Sequence, residues 1–291
     1  MIEVSDLEKQ YGDVEAVGGI DFTVDSGEVF GLVGPNGAGK TSTLKMLSGL
    51  VDPSAGSVAV NGMDPSDPAL RMDLGFLPEE SPLYEDMTPL SYLRFFADLY
   101  DVPDDVADSR IETVLDRLDL EVRDRAVGDF SKGMKRKVAI ARSLLNDPSV
   151  LVYDEPASGL DPITTNTVIE FTRELATQDK TIVFSAHDLY HVESVCDRVA
   201  IMHDGMIVAK GTIESIRERF GSVEYQVYTD VRVDGTRREG DVFVTTVDSM
   251  EAVESLRTKA HRAGGSVVDI RSTESSLEDV FLEVTERPQS A

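Results

Sequence analysis

The chain has 291 residues, which is enough for one large domain or for one domain with a small appendage. Its 54 acidic residues outnumber its 28 basic residues, giving a formal net charge of -26, and it has a single cysteine, Cys196. This composition excludes an intrachain disulfide, and it argues against a nucleic-acid partner because no basic stripe could hold phosphates.

The acidic excess has two interpretations. One is ordinary acidity with good solubility. The other, which we favour, is adaptation to a salty cytoplasm. In an Asp-rich and Lys-poor chain the acidic side chains repel one another at low salt, and molar salt screens that repulsion. The sequence thus predicts a protein from a halophile.

Targeting and membrane segments are not expected. The first residues, MIEVSDLEKQ, carry acids and no apolar run, which is unlike a signal peptide. No stretch approaches the roughly 18 apolar residues that a membrane span needs. We therefore expect a protein that is soluble or attached to a membrane through a partner.

A glycine-rich stretch, GLVGPNGAGKTSTL, follows the first apolar segment. Residues 29–33 are short, apolar and partly β-branched, which predicts a buried strand, and the apolar spacing over 43–50 predicts a helix. Gly34, Gly39, Lys40 and Thr41 match the motif G-x-x-x-x-G-K-[ST] between them. Strand, loop and helix are the context in which this motif binds phosphates.

Each part of this motif has a chemical role. The glycines let main-chain N–H groups turn toward phosphate oxygens, and the helix start adds its positive dipole end. Lys40 can reach the β- and γ-phosphates, and the Thr41 hydroxyl can bind Mg²⁺. The loop alone predicts a nucleoside triphosphate, and nothing finer.

The next part of the chain predicts a helical subdomain over about 85–148. Before it, GSVAVNG at 56–62 alternates like a strand. Thr88 followed by Pro89 is typical of a helix start. Apolar residues then recur at helical spacing in two stretches, Leu90, Leu93, Ala97 and Tyr100, and Ile111, Val114, Leu115 and Leu118.

A second apolar strand, VLVY at 150–153, ends in two acids. Asp154 and Glu155 would lie at the carboxyl edge of a parallel sheet, where ligands bind. Asp154 suits the shell of a Mg²⁺ ion, and Glu155 is placed to orient or deprotonate an attacking water. An acidic loop without a ligand is the alternative; adjacent acids here would still need an electropositive neighbour.

The last third of the chain predicts strands and a separate small unit. Residues 197–211 predict a hairpin flanking the core. Near residue 220 the pattern changes to strands and helices of a small α+β unit without chemistry of its own. Its expected strands lie at 222–230, 240–247 and 266–272, and its expected helices at 249–264 and 275–286.

Residues 129–156, DFSKGMKRKVAIARSLLNDPSVLVYDEP, and 182–189, IVFSAHDL, resemble the ATPase subunit of ATP-binding cassette (ABC) transporters. The resemblance covers residues 1 to about 220, with its motifs in family order. It implies an α/β P-loop NTPase with a RecA-like parallel sheet core, an N-terminal antiparallel β subdomain, an inserted helical subdomain and a small C-terminal α+β domain. The domains would be 1–220 and 221–291.

The resemblance implies roles for individual residues. Catalysis would rest on Lys40, Glu155 and His187, with His187 contacting the γ-phosphate. The phosphate loop would comprise Gly34, Pro35, Asn36, Gly37, Ala38, Gly39, Lys40, Thr41 and Ser42. Tyr11 would stack on adenine, although a strand or turn aromatic is an alternative. The D-loop acid would be Asp161, and Ser131 and Gly133 would meet the ATP held by the opposite subunit.

Two positions depart from the usual pattern. The signature reads FSKGM instead of LSGGQ, so that Lys132 replaces a glycine and Met134 replaces an amide. In GFLPEE, Glu79 occupies the place of a glutamine. Its carboxylate could join Thr41 and Asp154 as a Mg²⁺ ligand. Both variants, and the ending SLEDVFLEVT, resemble the branch that serves drug and sodium exporters.

The expected function is that of an ATP-hydrolysing motor subunit of an exporter, with ATP and Mg²⁺ as cofactors. Two copies would close head to tail around two ATPs and drive a separate multi-span membrane permease, from the cytoplasmic face of the membrane. The C-terminal unit would stabilise the dimer, regulate it, or only cap the core. Alternatives are a non-transport ABC ATPase, and a P-loop kinase, which would lack the SKGM signature and the D-loop.

Overall fold

The computed structural model describes residues 1–221 and 223–286. The chain divides into two compact units, Met1–Thr212 and Ile213–Ala291. Residues 213–220, which we expected to end the first domain, form a helix that is grouped with the second unit. Of the expected domain 221–291, residues 222 and 287–291 lie outside the described residues.

The first unit combines two sheets with helices. Its strands are β1 (Ile2–Tyr11), β2 (Val14–Val24), β3 (Val29–Val33), β4 (Ala55–Val60), β5 (Leu74–Leu77), β6 (Val150–Tyr153), β7 (Thr181–Ala186), β8 (Arg198–His203) and β9 (Met206–Gly211). Its α-helices are α1 (Lys40–Leu47), α2 (Pro68–Arg71), α3 (Pro89–Leu99), α4 (Asp104–Arg117), α5 (Lys132–Arg142), α6 (Pro162–Ala176) and α7 (Leu189–Val195), and a 3₁₀ turn spans Val127–Asp129.

The central sheet has the order β5-β6-β7-β3-β8-β9, and all its pairs except β8 with β9 are parallel. Strands β3, β6 and β7 are buried along their whole length, which explains their continuous apolar runs. Parallel order brings the carboxyl ends of these strands to one edge, the edge that carries the site.

The hairpin expected over 197–211 forms, but it does not flank the core as predicted. Strand β8 pairs in parallel with β3 and is therefore part of the central sheet, and β9 is its antiparallel edge. The reason lies in burial: Val199–Met202 are buried on both faces, which a flanking hairpin would not allow.

A smaller antiparallel sheet, in the order β2-β1-β4, covers α1 and one side of the central sheet. The strand expected at 56–62 is β4, and it pairs with β1. Phe22 of β2 stacks on Phe30 of β3, with ring centroids 5.2 Å apart. One apolar core thus joins the two sheets and holds α1 beneath the end of β3.

Helices α3, α4 and α5 lie between β5 and β6 in the chain, and they contact one another. Helix α3 begins as the sequence predicts, because Thr88 Oγ1 accepts a hydrogen bond from the Ser91 N–H at 3.3 Å and Pro89 is the first helical residue. Among residues 1–221 and 223–286, none of the helices combines the length and the hydropathy that a membrane span requires.

The second unit is a four-stranded antiparallel sheet with helices. Its strands, β10 (Val223–Thr229), β11 (Arg237–Glu239), β12 (Val242–Val247) and β13 (Val267–Glu274), have the order β11-β12-β10-β13. Helix α9 (Met250–Arg262) packs on one face, and α8 (Ile213–Phe220) contacts α10 (Leu277–Glu286). The sequence analysis predicted neither the short, charged strand β11 nor the helix α8, although Ile213, Ile216 and Phe220 have helical spacing.

Candidate nucleotide-binding and hydrolysis site

The glycine loop joins β3 directly to α1. Gly37 and Gly39 have φ angles of 87° and 100°, in the left-handed region that favours glycine. A Cβ atom on Gly34 would lie 2.4 Å from the main-chain oxygen of Met202, so this position needs glycine for space. The helix begins at Lys40, earlier than the sequence pattern indicates, because the loop residue Gly39 is itself the N-cap.

Lys40 lies across this loop. Its side chain is 6% exposed, and Nζ donates hydrogen bonds to the carbonyl oxygens of Gly34 at 2.6 Å and Pro35 at 3.2 Å. The same Nζ lies 3.5 Å from Glu155 Oε1. The structure therefore brings the loop cation and the acid after β6 together, although they are far apart in sequence.

Asp154 and Glu155 follow β6, and Ser185 on the neighbouring strand β7 holds both. Asp154 is 2% exposed, and its Oδ1 accepts a hydrogen bond from the Ser185 hydroxyl at 2.6 Å. The Glu155 N–H donates to Ser185 Oγ at 2.9 Å. Sequence reasoning missed Ser185; the available signal was a polar residue directly after the apolar run Ile182–Phe184.

The two carboxylate oxygens of Glu155 differ in their hydrogen bonding. Its Oε2 lies 2.7 Å from His187 Nδ1, whereas its Oε1 is buried and has no hydrogen-bond partner in the described part of the chain. A buried acceptor without a donor is costly unless a ligand or water completes it. Oε1 is therefore suited to accept a hydrogen bond from a water molecule near Lys40.

The donor set at this edge fits a magnesium ion. Mg²⁺ prefers oxygen ligands and takes one or two carboxylates together with phosphate oxygens. Asp154 supplies a buried carboxylate, and Thr41 in the first turn of α1 supplies a hydroxyl. Glu79 is exposed, and its main-chain carbonyl accepts a hydrogen bond from Arg136 at 3.0 Å. Its expected role as a metal ligand stays a prediction.

The signature and D-loop residues form a second group, at the starts of α5 and α6. Ser131 Oγ accepts a hydrogen bond from the Met134 N–H at 3.2 Å and so caps α5. Asp161 caps α6, accepting from the N–H of Thr164 at 3.0 Å and from its hydroxyl at 2.7 Å. These hydrogen bonds lower the pKa of the Asp161 carboxyl.

Gly133 packs between these two helix starts. A Cβ atom on Gly133 would lie 2.9 Å from Cγ2 of Thr164, so the close approach that we expected toward a nucleotide is already required within the chain. The Lys132 ammonium lies against Gly159, 2.4 Å from the place of a Cβ on that residue. The expected contacts of this group with a second subunit's ATP stay predictions.

Tyr11 ends β1 with an exposed ring. The residue is 47% exposed, and Lys9 Nζ lies 5.1 Å from the ring centroid. An exposed aromatic face is free to stack on a planar base, and the adenine contact expected for Tyr11 stays a prediction.

Arg136 on α5 is a functional candidate that sequence reasoning missed. It is 7% exposed, and burial lowers the pKa of its guanidinium to about 10. Its hydrogen bonds reach the main chain at Asp154, Glu155 and Pro156, directly behind the acids. The signal available in the sequence was its placement three residues after Gly133, on the helix face that turns out to be buried.

Comparison with known proteins gives one consistent result. A family model described as ABC transporter matches residues 17–158. The chain is 38% identical to the ABC transporter ATP-binding protein NatA of Bacillus subtilis, over 75% of this chain and 92% of that protein. It is 34% identical to the Nod factor export ATP-binding protein I of Burkholderia lata, over 98% and 97% of the two chains. A solved ATP-binding subunit of an ABC transporter superposes with a TM-score of 0.70 and 35% identity, over 76% of this chain and 93% of that one.

Proposed function

Because the chain belongs to the family of ABC transporter ATP-binding proteins, an ATPase family, we propose that it is the ATP-hydrolysing subunit of an exporter. One relative, whose name assigns it to Nod factor export, aligns with 98% of this chain. This relative supports export as the proposed direction of transport. Family membership leaves the P-loop kinase alternative without support.

The observation that carries the proposed chemistry is the convergence of Lys40, Glu155 and His187. Lys40 Nζ offers positive charge to the terminal phosphates, next to a glutamate whose Oε1 lacks a donor. Phosphoryl transfer depends mainly on positioning and charge neutralisation. The arrangement supplies both at one end of β6.

In this mechanism Glu155 is the base and His187 orients it. Oε1 accepts a hydrogen bond from the attacking water and takes its proton as the water oxygen bonds to the γ-phosphorus; the bond from that phosphorus to the β–γ bridging oxygen breaks, and ADP leaves. The Oε2 contact with His187 at 2.7 Å fixes the carboxylate plane. Asp154 and Thr41 would hold a Mg²⁺ ion, which would supply further charge neutralisation at the phosphates when bound.

Each ATP site is formed by residues of two copies of the chain. Each phosphate loop, 34–42, binds one ATP with Tyr11 beside the base. The partner copy adds Ser131, Gly133 and its D-loop with Asp161. Closing around ATP and reopening after hydrolysis then drives the membrane permease, a separate multi-span subunit on whose cytoplasmic face the pair sits.

The helical subdomain offers a surface for that permease. Tyr84 precedes α3, and its ring contacts that of Phe95 within the helix, at a centroid distance of 5.9 Å; Leu99 is the last residue of α3. These three side chains are 56%, 40% and 62% exposed. Clustered exposed apolar side chains of this size mark protein-interaction surfaces.

The net charge of -26 further supports a salty cytoplasm as the working environment.

The test is steady-state hydrolysis together with ATP affinity. Glu155→Gln keeps the side chain's shape and removes the base, so we expect kcat to fall by about 10²–10⁴-fold with ATP affinity retained. Lys40→Ala should weaken ATP binding itself. Glu28→Gln is the matched control, since Glu28 is also buried and cation-paired, 3.2 Å from Arg198, but at the opposite end of β3. Parental hydrolysis by Glu155→Gln would contradict the proposal.

A further inference from the structure

Arg136 is a buried cation whose bonds go to main-chain oxygens. At the end of β6, Nε donates to the carbonyl of Pro156 at 2.8 Å, and Nη2 donates to the carbonyls of Asp154 and Glu155, each at 2.9 Å. One side chain of α5 therefore holds the carbonyls of three consecutive residues, the two acids among them.

The same guanidinium also reaches the end of β5. Nη1 donates to the carbonyl oxygens of Pro78 at 2.6 Å and Glu79 at 3.0 Å, and lies 3.3 Å from the Ser81 hydroxyl oxygen. Arg136 thus ties three segments together: the helix that begins with the signature, the segment 78–81, and the segment that carries the catalytic acids.

Glu155 needs such support because its backbone is strained. Its φ angle is 47°, in the left-handed region that side chains other than glycine rarely adopt. Carbonyls that turn inward at such a residue need donors, and Arg136 supplies them on both sides of the Glu155 peptide. A planar guanidinium can serve several carbonyls in fixed directions, which a lysine ammonium cannot do in the same way.

We infer that Arg136 is a positioning residue for hydrolysis, which fixes the backbone of Glu155 to the signature helix α5 and to the segment 78–81. The direction of the base then depends on where α5 lies, so that anything that moves this helix also moves the carboxylate. This inference rests on the proposed role of Glu155 as the base.

A purely structural role of Arg136 and a positioning role predict different effects on kcat, ATP affinity and thermal stability. Removing a buried, bonded cation could simply loosen the core, in which case ATP affinity and thermal stability would fall together with hydrolysis. A positioning role predicts a selective fall in kcat, because Lys40 and the loop 34–42 make no hydrogen bond to Arg136 in the described structure.

The test compares Arg136→Lys and Arg136→Gln with a control on the same helix. Lys137 is also buried, 8% exposed, but its Nζ donates to the Asp119 carbonyl at 3.0 Å, away from the acids. We expect both Arg136 variants to lower kcat by about 10- to 100-fold, the usual effect of a small misplacement, with the KM and the equilibrium ATP affinity unchanged. Lys137→Gln should keep the parental kcat.

A double variant shows whether Arg136 acts through the base. Combined with Glu155→Gln, Arg136→Lys should cause no further loss, because the group that it positions is already gone. Parental kcat in both Arg136 variants, a parallel loss of ATP affinity and melting temperature, or full additivity with Glu155→Gln would each overturn the inference. Parental hydrolysis by Glu155→Gln alone would instead overturn the proposed base.

Discussion

At the scale of single residues, Asp161 shows how a predicted ligand contact and a local structural role can fall on one side chain. Its carboxylate accepts two hydrogen bonds from Thr164 and caps α6. Asparagine caps helices about as well as aspartate, whereas alanine does not. The pair of substitutions therefore separates the cap from the charge.

We expect Asp161→Asn to keep the parental melting temperature and most of the ATPase rate. Asp161→Ala should have a lower melting temperature and a lower ATPase rate. Thermal melting and steady-state ATPase rates measure this. Asp67→Ala is the control, because Asp67 caps α2 by accepting from the Ala69 N–H at 2.9 Å and lies outside the proposed site. An Asp161→Asn variant that melts normally but hydrolyses poorly would show that the charge itself contacts the nucleotide.

Asp147 gives a pH dependence with a definite sign. Hydrogen bonding from Lys180 Nζ at 2.8 Å, aided by Arg110, lowers the pKa of Asp147 below its ordinary value of 3.8. The folded protein thus binds this proton more weakly than the unfolded chain does. The stabilisation is complete above pH 3.8 and is lost as the pH falls through the lower, folded pKa.

Asp147→Asn should therefore melt below the parent at neutral pH, and the gap should close in acid below pH 3.8. Asparagine tolerates the left-handed backbone at this position, where φ is 54°, so the substitution tests the charge alone. Melting curves at low salt across this range measure the gap. A difference that stays constant with pH would mean that the ion pairs contribute nothing.

Among the elements, the starts of α5 and α6 approach each other closely at Gly133 of α5 and Thr164 of α6. Gly133→Ala would place a methyl group 2.9 Å from Thr164 Cγ2, and overpacking of this kind costs about 1–3 kcal/mol. We expect a net loss of about 1 kcal/mol of unfolding free energy, since alanine regains about 1 kcal/mol in helix propensity.

Thr164→Ser is the matched rescue for Gly133→Ala. It removes the crowding methyl group and keeps the hydroxyl that bonds to Asp161. The double variant should be more stable than the sum of the two single changes predicts, and urea unfolding measures it. Strict additivity would show that the Thr164 methyl group does not crowd residue 133 in solution.

The elements that could be predicted from sequence are those with local signals. The strands over 29–33 and 150–153 are uninterrupted apolar runs, and the glycine motif between 34 and 41 is contiguous. The placement of the hairpin over 197–211 was wrong because the order of strands in a parallel sheet depends on pairing between distant segments, which no local pattern records.

The same contrast holds within the site. Lys40 and Glu155 stand out because each belongs to a motif, whereas Arg136 and Ser185 act through partners far along the chain. Arg136 bonds to carbonyls 18 to 58 residues away, and Ser185 to a carboxylate 31 residues away. Charge and polarity at these two positions hinted at a role, but only the fold shows which main-chain groups they hold.

For the molecule as a whole, we expect the net charge of -26 to make stability depend on salt. Raising ionic strength from about 0.1 M to 1 M shortens the screening length from about 10 Å to 3 Å. The melting midpoint should rise over this interval, by about 2–4 °C for each kcal/mol of repulsion removed.

Circular dichroism melts in increasing KCl measure this rise, which should level off once screening is nearly complete. A midpoint that stays constant or falls between about 0.1 M and 2 M KCl would contradict adaptation to high salt. The proposed catalytic chemistry would be unaffected by that result, because it rests on the contacts of Lys40 and Glu155.

Two copies of the chain are proposed to clamp ATP between them, and the variant Glu155→Gln tests this proposal. Without the base the closed pair should accumulate, because a ligand that binds only the pair shifts the equilibrium toward it. Adding Lys40→Ala should abolish the pair by weakening ATP binding. Ser131→Arg should abolish it by blocking the partner's site while leaving the chain's own loop intact.

The measurement is sedimentation velocity with Mg-ATP at high ionic strength, so that the like-charged copies can meet. We expect Glu155→Gln to sediment as a species of twice the 31.8 kDa chain with ATP and as a single chain without it. A Glu155→Gln variant that binds ATP but remains a single chain at saturating nucleotide would contradict the shared-site mechanism.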